Sequence, residues 1–179
     1  MTKKETSSKG DILIVDDTLP NLRVLSTMLT EYGYEVRGVP NGKMALTVVQ
    51  TAPPDLILLD INMPGLDGYE VCERLKADEK SHDIPVIFMS ALDEVLDKVR
   101  AFAIGGIDYI TKPFQIEEVL LRVKNHLALR NLQKQLQETN AMLLAKTAEL
   151  EEKSAEFARR NEALEQELAA LRRQSGQDK

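Results

Sequence analysis

The stretch Asp55-Leu-Ile-Leu-Leu-Asp60 is a run of four apolar residues with a carboxylate at each end. A short apolar run of this kind predicts a buried β-strand. Similar runs recur along the chain and alternate with helical patterns; the full set covers residues 11–15, 35–39, 55–59, 84–89 and 106–110. This alternation is typical of repeated strand–helix units, so the sequence predicts an α/β domain with a parallel sheet.

Polar side chains stand just past four of these runs, and they are Asp16, Asp17, Asp60, Ser90 and Lys112. In a parallel sheet the carboxyl ends of the strands lie along one edge, where open α/β sheets bind their ligands. We therefore expect these five side chains to meet in one site.

The candidate site has the composition that phosphoryl transfer needs. Three carboxylates at one edge repel one another, and such an oxygen-rich cluster suits a hard cation such as Mg²⁺. Asp60, on the central strand, is the candidate nucleophile, since a carboxylate can attack phosphorus to give an aspartyl-phosphate. Mg²⁺ on Asp17 and the Lys112 ammonium would neutralise the phosphoryl oxygens, and the Ser90 hydroxyl can donate to one of them.

The C-terminal third of the chain predicts one long helix. Residues 114–175 contain no glycine or proline, so a helix of about 60 residues can run unbroken. Its first turns carry a stripe that can cover the sheet, composed of Ile116, Val119, Leu120, Val123 and Leu127. Beyond it an apolar side chain recurs every seven residues, the coiled-coil repeat, at Leu129, Leu136, Leu143, Leu150, Phe157, Leu164 and Leu171.

This series can occupy either core position of the heptad. At position d it leaves position a to Gln133, Asn140, Thr147, Ser154, Asn161 and Leu168. At position a it brings Lys146, Lys153, Arg160 and Glu167 into the seam. The first assignment is the less costly in free energy, because it places no charged side chain in the core. Leucine at d with asparagine at a also favours a parallel two-stranded coil. In the first assignment, position g of one helix also faces an opposite charge at position e of the other: Lys146 faces Glu151, Arg160 faces Glu165 and Glu167 faces Arg172. We therefore predict a parallel homodimer through residues 129–175, with a single solvated helix as the alternative.

Composition restricts the location and the partners. The chain has 23 Lys and Arg against 29 Asp and Glu, a net charge of −6, so it lacks the basic excess that nucleic-acid binding requires. No run is long and apolar enough for a membrane span, and residues 1–10 do not resemble a secretory signal. We expect a cytoplasmic protein with neither nucleic acid nor membrane as a direct partner.

Over about residues 10 to 128, these motifs resemble the receiver domain of bacterial two-component response regulators. Val15-Asp16-Asp17 resembles the acidic pair of that family, and Asp60 in Leu58-Leu-Asp-Ile-Asn-Met-Pro-Gly65 resembles its phosphoacceptor. Ser90-Ala91 resembles the switch hydroxyl, with serine in place of the commoner threonine. Lys112-Pro113-Phe114 resembles the lysine and cis-proline, and Tyr109 occupies the aromatic switch position.

The resemblance implies a fold, a ligand set and a partner. The fold is a flavodoxin-like, doubly wound sheet of five parallel strands in the order 2-1-3-4-5, with the coiled-coil helix extending the fifth helix. Asp17, Asp60 and the backbone carbonyl of Asn62 ligate Mg²⁺ directly, and Asp16 acts through water. A histidine kinase or phosphotransfer protein phosphorylates Asp60; Ser90 and Tyr109 then move inward. The surface of the fourth helix (residues 95–102), fifth strand and fifth helix is remodelled.

The expected domain organisation is a disordered tail (1–10), a receiver domain (11–128), a coiled-coil dimerisation helix (129–175) and a second tail (176–179). We expect no enzyme activity beyond self-phosphorylation and self-dephosphorylation at Asp60. The effector is then unknown: it is either a further domain of a longer chain or a separate protein.

Two other functions stay open at this point. The protein could be a phosphorylation-independent dimeric adaptor that acts through its coil. It could also be an aspartate-nucleophile phosphohydrolase, although that class usually has a second aspartate two residues after the nucleophile. Position 62 is asparagine here.

Overall fold

A computed structural model describes residues 8–91 and 100–175, and within them the chain forms one five-stranded parallel sheet in the order β2-β1-β3-β4-β5. The strands are β1 (Asp11–Val15), β2 (Glu35–Val39), β3 (Leu56–Asp60), β4 (Val86–Ala91) and β5 (Asp108–Lys112). The helices with complete bounds are α1 (Leu19–Glu31), α2 (Gly42–Thr51), α3 (Gly68–Ala77) and the C-terminal helix (Ile116–Ser175). The flavodoxin-like fold and its strand order are confirmed.

The last three strands end later than their apolar runs. The runs at 55–59, 84–89 and 106–110 predict ends at residues 59, 89 and 110, whereas these strands end at residues 60, 91 and 112. The reason is that ladder hydrogen bonds form between backbone groups, whatever the polarity of the side chain. Asp60 and Lys112 are therefore the last residues of their strands and are held by strand pairing.

The sheet is buried on both faces. One face packs against α2 and α3, where Val49, Val71 and Leu75 are buried. The other packs against α1 and the start of the C-terminal helix, where Leu25 and Leu29 are buried. Full burial of one such side chain contributes about 1.5–3 kcal/mol. Because both faces of the sheet are covered, the β3 residues before Asp60 are all apolar.

Gly68, the first residue of α3, lies against the end of β3. Its N–H donates to the Ile61 carbonyl at 2.9 Å. A Cβ at this position would overlap the backbone carbonyl oxygen of Asp60. Asp67 caps the helix, because its side chain accepts the Glu70 N–H at 2.8 Å. The start of α3 thus supports the backbone of Asp60 from one side.

Gly68→Ala is expected to lower the free energy of unfolding by about 2 kcal/mol, since the overlapping atoms belong to rigid backbone. Denaturant unfolding measures the effect. Gly38→Ala is the control, because its Cβ would meet the Leu22 side chain at an ordinary 3.5 Å. Equal losses in the two variants would contradict the proposed support of Asp60 by α3.

The predicted stripe at the start of the C-terminal helix is confirmed in part. Val119, Val123 and Leu127 are buried, and Leu120 is partly buried. Ile116 is 45% exposed, contrary to expectation. It is the first helical residue, where the side chain points back past the end of the helix rather than onto the sheet.

The chain divides into two compact units, Met1–Asn131 and Leu132–Lys179. In the second unit, every side chain from Leu132 to Ala170 is exposed except that of Glu149, which is partly exposed. None of the helices in the described ranges has the length and apolar composition to cross a bilayer.

The structure describes only part of the expected tails and of the expected fourth helix, and the part of the N-terminal tail that it describes is ordered. Residues 8–10 of the expected tail have defined partners: the Lys9 N–H donates to the Gly33 carbonyl, and the Gly10 carbonyl accepts from Glu35. Residues 1–7, 92–99 and 176–179 lie outside the described residues, and with them most of the expected fourth helix; residues 100–103 are helical. The boundary at 128/129 stays a prediction, because the helix is continuous there.

Candidate functional site

Lys112 joins the two buried carboxylates of the sheet edge. Its Nζ lies 2.7 Å from Asp60 Oδ2 and 2.9 Å from Asp16 Oδ2. Lys112 ends β5, Asp60 ends β3 and Asp16 follows β1, so the ammonium reaches across β4 to connect three strands. The structure thus brings together side chains that are far apart in sequence, as the edge argument predicts.

Asp16 is fully buried, and its carboxylate is saturated by protein donors. Oδ1 accepts the Thr18 N–H at 2.8 Å and the Asn21 amide at 3.1 Å. Oδ2 accepts the Asn21 amide at 3.0 Å and the Lys112 ammonium at 2.9 Å. These bonds leave little room for direct ligation of a cation, and they agree with a contact through water.

Asn21 and Thr18 are contributors that the sequence analysis missed. Thr18 is the N-cap residue of α1, and Asn21 lies in the first turn of that helix. A polar residue two or five positions after an aspartate is only a weak sign of a shared site, because a polar residue at a helix start is usually a cap.

Asp17 is the exposed member of the acidic cluster. Its Oδ1 accepts the Thr18 hydroxyl at 3.2 Å. One carboxylate oxygen from each of Asp16, Asp17 and Asp60 lies within 4.8 Å of the others. The three carboxylates and Lys112 together carry a net charge of about −2. The candidate ligand atoms are all carboxylate oxygens, which Mg²⁺ prefers. The residues present therefore fit a divalent cation.

Asp60 is almost fully buried, with 4% of its side chain exposed. Burial raises the pKa of its carboxyl, and the neighbouring Lys112 opposes that shift through its hydrogen bond and its charge. Burial alone would lower the pKa of Lys112, but the hydrogen bonds and charges of Asp60 and Asp16 outweigh it and raise that pKa. Lys112 is thus a cation that favours the ionised form of Asp60.

Asn62 contacts the site through its backbone. Its N–H donates to Asp60 Oδ1 at 3.3 Å, and its side chain is exposed. The residue two positions after the candidate nucleophile therefore offers no carboxylic acid. A phosphohydrolase of the kind considered above would need one there.

Ser90 is buried on β4, next to the strand that carries Asp60. In the parallel register Asp60 pairs with Met89, so Ser90 stands one residue further toward the edge. Its hydroxyl belongs to the same edge as the carboxylates.

Tyr109 lies on β5, three residues before Lys112, and is half-buried. Its ring is 6.3 Å from that of Phe102 in an edge-to-face arrangement, and the Arg122 guanidinium lies 5.6 Å from its centre. Because Arg122 belongs to the C-terminal helix, the predicted switch residue directly contacts that helix.

A charge network that the sequence analysis did not foresee surrounds this contact. Asp108 accepts from Arg122 and lies 2.9 Å from His126 Nε2, and Arg122 Nε also donates to Glu118 at 2.9 Å. Burial would raise the pKa of the Asp108 carboxyl, but the hydrogen bonds from Arg122 and His126 outweigh it and hold that pKa below its usual value. No sequence pattern assigned a role to His126, which in the structure belongs to the network that connects β5 with the C-terminal helix.

The Lys112–Pro113 peptide bond is cis, as the resemblance implies. Cys72 is a fully buried packing residue, and burial raises the pKa of its thiol to about 11.

Comparison with known proteins gives a consistent result. The family described as "Response regulator receiver domain" matches residues 12–124. The chain is 42% identical over 118 residues to the "Probable transcriptional regulator ycf27" of Cyanophora paradoxa, covering 66% of this chain and 48% of that protein. It is 42% identical over 113 residues to the "DNA-binding dual master transcriptional regulator RpaA" of Synechocystis, covering 63% and 47%.

Among solved structures, a putative response regulator from Chloroflexus aurantiacus superimposes with a TM-score of 0.65 at 35% identity, covering 66% of this chain and 98% of that one. The chain spans about half the length of the curated relatives it matches. Their names count against the expectation that nucleic acid is excluded as a partner, an expectation that rested on the net charge of −6.

Proposed function

The chain belongs to the response regulator receiver domain family, and from that premise we propose that it is a phosphorylation-dependent switch with Asp60 as phosphoacceptor. The observation that carries the proposal is the Lys112 ammonium, which lies within 2.9 Å of both Asp16 and Asp60 beside the exposed carboxylate of Asp17. The buried Asp60 carboxylate thus has a fixed cation, Lys112, and a solvent-exposed acidic neighbour, Asp17. A phosphoryl acceptor needs this arrangement.

In the proposed transfer an Asp60 carboxylate oxygen attacks the phosphorus of a phosphohistidine on a kinase or phosphotransfer protein. A new O–P bond forms, the P–N bond breaks, and the donor histidine nitrogen keeps the electron pair. Lys112 balances charge on the transferred group, and the Ser90 hydroxyl donates to one of its oxygens. Asp16 holds Lys112 in position through its 2.9 Å contact.

Asp17, Asp60 and the backbone carbonyl of Asn62 are the proposed Mg²⁺ ligands, with Asp16 acting through water. Mg²⁺ bound there would neutralise negative charge on the phosphoryl oxygens.

We assign the response to Ser90 and Tyr109. Ser90 follows the new phosphoryl oxygens inward, and Tyr109 moves into the space that it leaves. Since the Tyr109 ring contacts Arg122, this movement alters a contact with the C-terminal helix. The output is then a shift between two populations of the same chain.

We further propose a parallel homodimer through residues 129–175. Leu136 and Leu143 are 61% and 57% exposed in the single chain, and a second copy would cover this stripe. Lys146 faces Glu151 of the partner in that pairing, and Arg160 faces Glu165. In the single chain Lys146 and Lys153 both contact Glu149, which are exposed pairs of little energetic weight.

The output of the proposed switch requires an effector. Two of the relatives are named transcriptional regulators, and one of them is named DNA-binding. A role in transcription would therefore be exercised by a further domain or by a separate partner protein, with the switch itself acting in the cytoplasm.

The test is phosphorylation by a small phosphodonor such as acetyl phosphate. With Mg²⁺ we expect one acid-stable, base-labile phosphoryl group per chain, and a rate at least about tenfold lower after chelation, because the charge on the phosphoryl group is no longer balanced. A rate that is the same with and without Mg²⁺ would contradict the proposed site. Full function in cells of a chain that cannot be phosphorylated would favour the adaptor alternative.

A further inference from the structure

The exposed face of the C-terminal helix carries two overlapping seams. Both use the leucine series that starts at Leu129. The first seam adds the residues that follow each leucine by four positions, Gln133, Asn140, Thr147, Ser154, Asn161 and Leu168. The second seam adds those that follow by three positions, Leu132, Thr139, Lys146, Lys153, Arg160 and Glu167. The helix is continuous through all of these positions, so either seam is available along its whole length.

The seams compete differently along the helix. In the first two heptads the second seam is the more apolar, because it offers Leu132 in place of Gln133 and Thr139 in place of Asn140. Leu132 is 63% exposed, as expected for an apolar side chain that lacks a partner. This part of the coil alone would place Leu132 in the core.

From residue 146 onward the preference reverses. The second seam would place Lys146, Lys153, Arg160 and Glu167 in the core, whereas the first places Thr147, Ser154, Asn161 and Leu168 there. A like-charged pair in a coiled-coil core is costlier than a pair of small polar residues. The distal part therefore holds the first seam.

The two arrangements differ by a rotation of each helix of about 50° around its axis, since 3.5 residues complete one turn in a coiled coil. A single layer cannot use both seams at once. In residues 129–143 the local preference for the second seam is opposed by the continuous helix, whose distal part holds the first seam, so the two arrangements come close in stability there. Two packings of similar stability make a two-state element, which a modest input can shift.

The receiver unit can supply that input through the helix itself. Arg122 contacts the Tyr109 ring, and the same helix runs without a break from Ile116 past Leu132. Resting on the dimer put forward under the proposed function, we propose that residues 129–143 of the coil exchange between the two seams while residues 147–171 keep the first, and that phosphorylation of Asp60 shifts the exchange.

Disulfide cross-linking of full-length single-cysteine variants tests the exchange, because only core positions of a parallel coil bring two Cβ atoms close enough. Leu132→Cys reports the second seam and Gln133→Cys the first. Leu136→Cys is the matched control, since its position is in the core of both seams. The native Cys72 is fully buried with a thiol pKa raised to about 11, so it gives no background.

Mild oxidation is followed with and without Mg²⁺ and beryllofluoride, a mimic of the aspartyl-phosphate. Leu132→Cys and Gln133→Cys should both cross-link, and the mimic should change the ratio of their rates at least about threefold, a shift that is small on the energy scale of a switch. Thr147→Cys should cross-link faster than Lys146→Cys in both states. In an Asp60→Asn background the mimic should leave the ratio unchanged.

Each alternative result is decisive. If Leu136→Cys cross-links but only one of positions 132 and 133 does, with or without the mimic, the coil has a single seam and the exchange is wrong. If the ratio shifts equally in Asp60→Asn, the link to phosphorylation is wrong. If Leu136→Cys fails to cross-link and light scattering gives the mass of one chain, the homodimer itself is wrong and the exchange with it.

Discussion

Asp60→Asn is expected to lower the rate of phosphoryl uptake from a small phosphodonor by at least about 1,000-fold, because it removes the nucleophilic carboxylate. The substitution keeps the shape of a side chain that is only 4% exposed. It also keeps one acceptor oxygen, whereas the Asn62 N–H and the Lys112 ammonium contact different oxygens of Asp60, so one of these two contacts is retained. The loss should therefore be a loss of chemistry in a folded protein, which unfolding curves and the intact mass of the phosphorylated chain distinguish.

Asp67→Asn is the matched control for this prediction. It makes the same chemical change at an N-cap on α3, and asparagine caps helices as well as aspartate does. Its rate of uptake should stay within about twofold of the unsubstituted chain. A phosphoryl group that still appears on Asp60→Asn at the original rate would place the acceptor elsewhere.

Substituting aspartate for both Leu143 and Leu150 is expected to weaken the homodimer at least about 100-fold. Each leucine contributes about 1.5–3 kcal/mol when fully buried, and the double variant loses two leucines from each helix. The introduced carboxylates would also face one another across the seam. Light scattering or sedimentation over a range of concentrations measures the shift from two chains to one.

The control carries the same charges on the outer face of the coil. Ala148 and Ala155 are exposed and seven residues apart, like the two leucines, but neither lies in the first or the second seam. Aspartate at both positions should leave the dimer largely intact. If the leucine variant stays dimeric, the receiver unit rather than the coil holds the two chains together.

Much of the site could be predicted because its signals are local. Asp60 and Lys112 each end a strand whose apolar residues identify it, and the edge rule for parallel sheets then places them together without any knowledge of packing. A helix cap is equally local: Asn41 precedes α2, and its side chain accepts the Met44 N–H at 2.9 Å. Strand order was inferred by resemblance, since periodicity carries no information about which strands pair.

Other features depend on contacts that no local pattern records. Met44 lies next to the fully buried Ala45 on α2 but is 47% exposed, because helical spacing fixes an apolar stripe and leaves its exact edge to the neighbouring elements. Asn21 becomes part of the site only because the first turn of α1 places its amide within hydrogen-bond distance of the Asp16 carboxylate. The same holds for His126, which finds Asp108 when the C-terminal helix packs beside β5.

The strands, the carboxylates at their ends and the seven-residue repeat can be read from the residue order, because each depends on a short segment. The bridge from Lys112 to Asp16 and Asp60, and the contact of Tyr109 with Arg122 of the C-terminal helix, arise only when the chain is folded. These contacts join residues up to 96 positions apart. Their geometry follows from strand order and helix packing, which are properties of the whole chain.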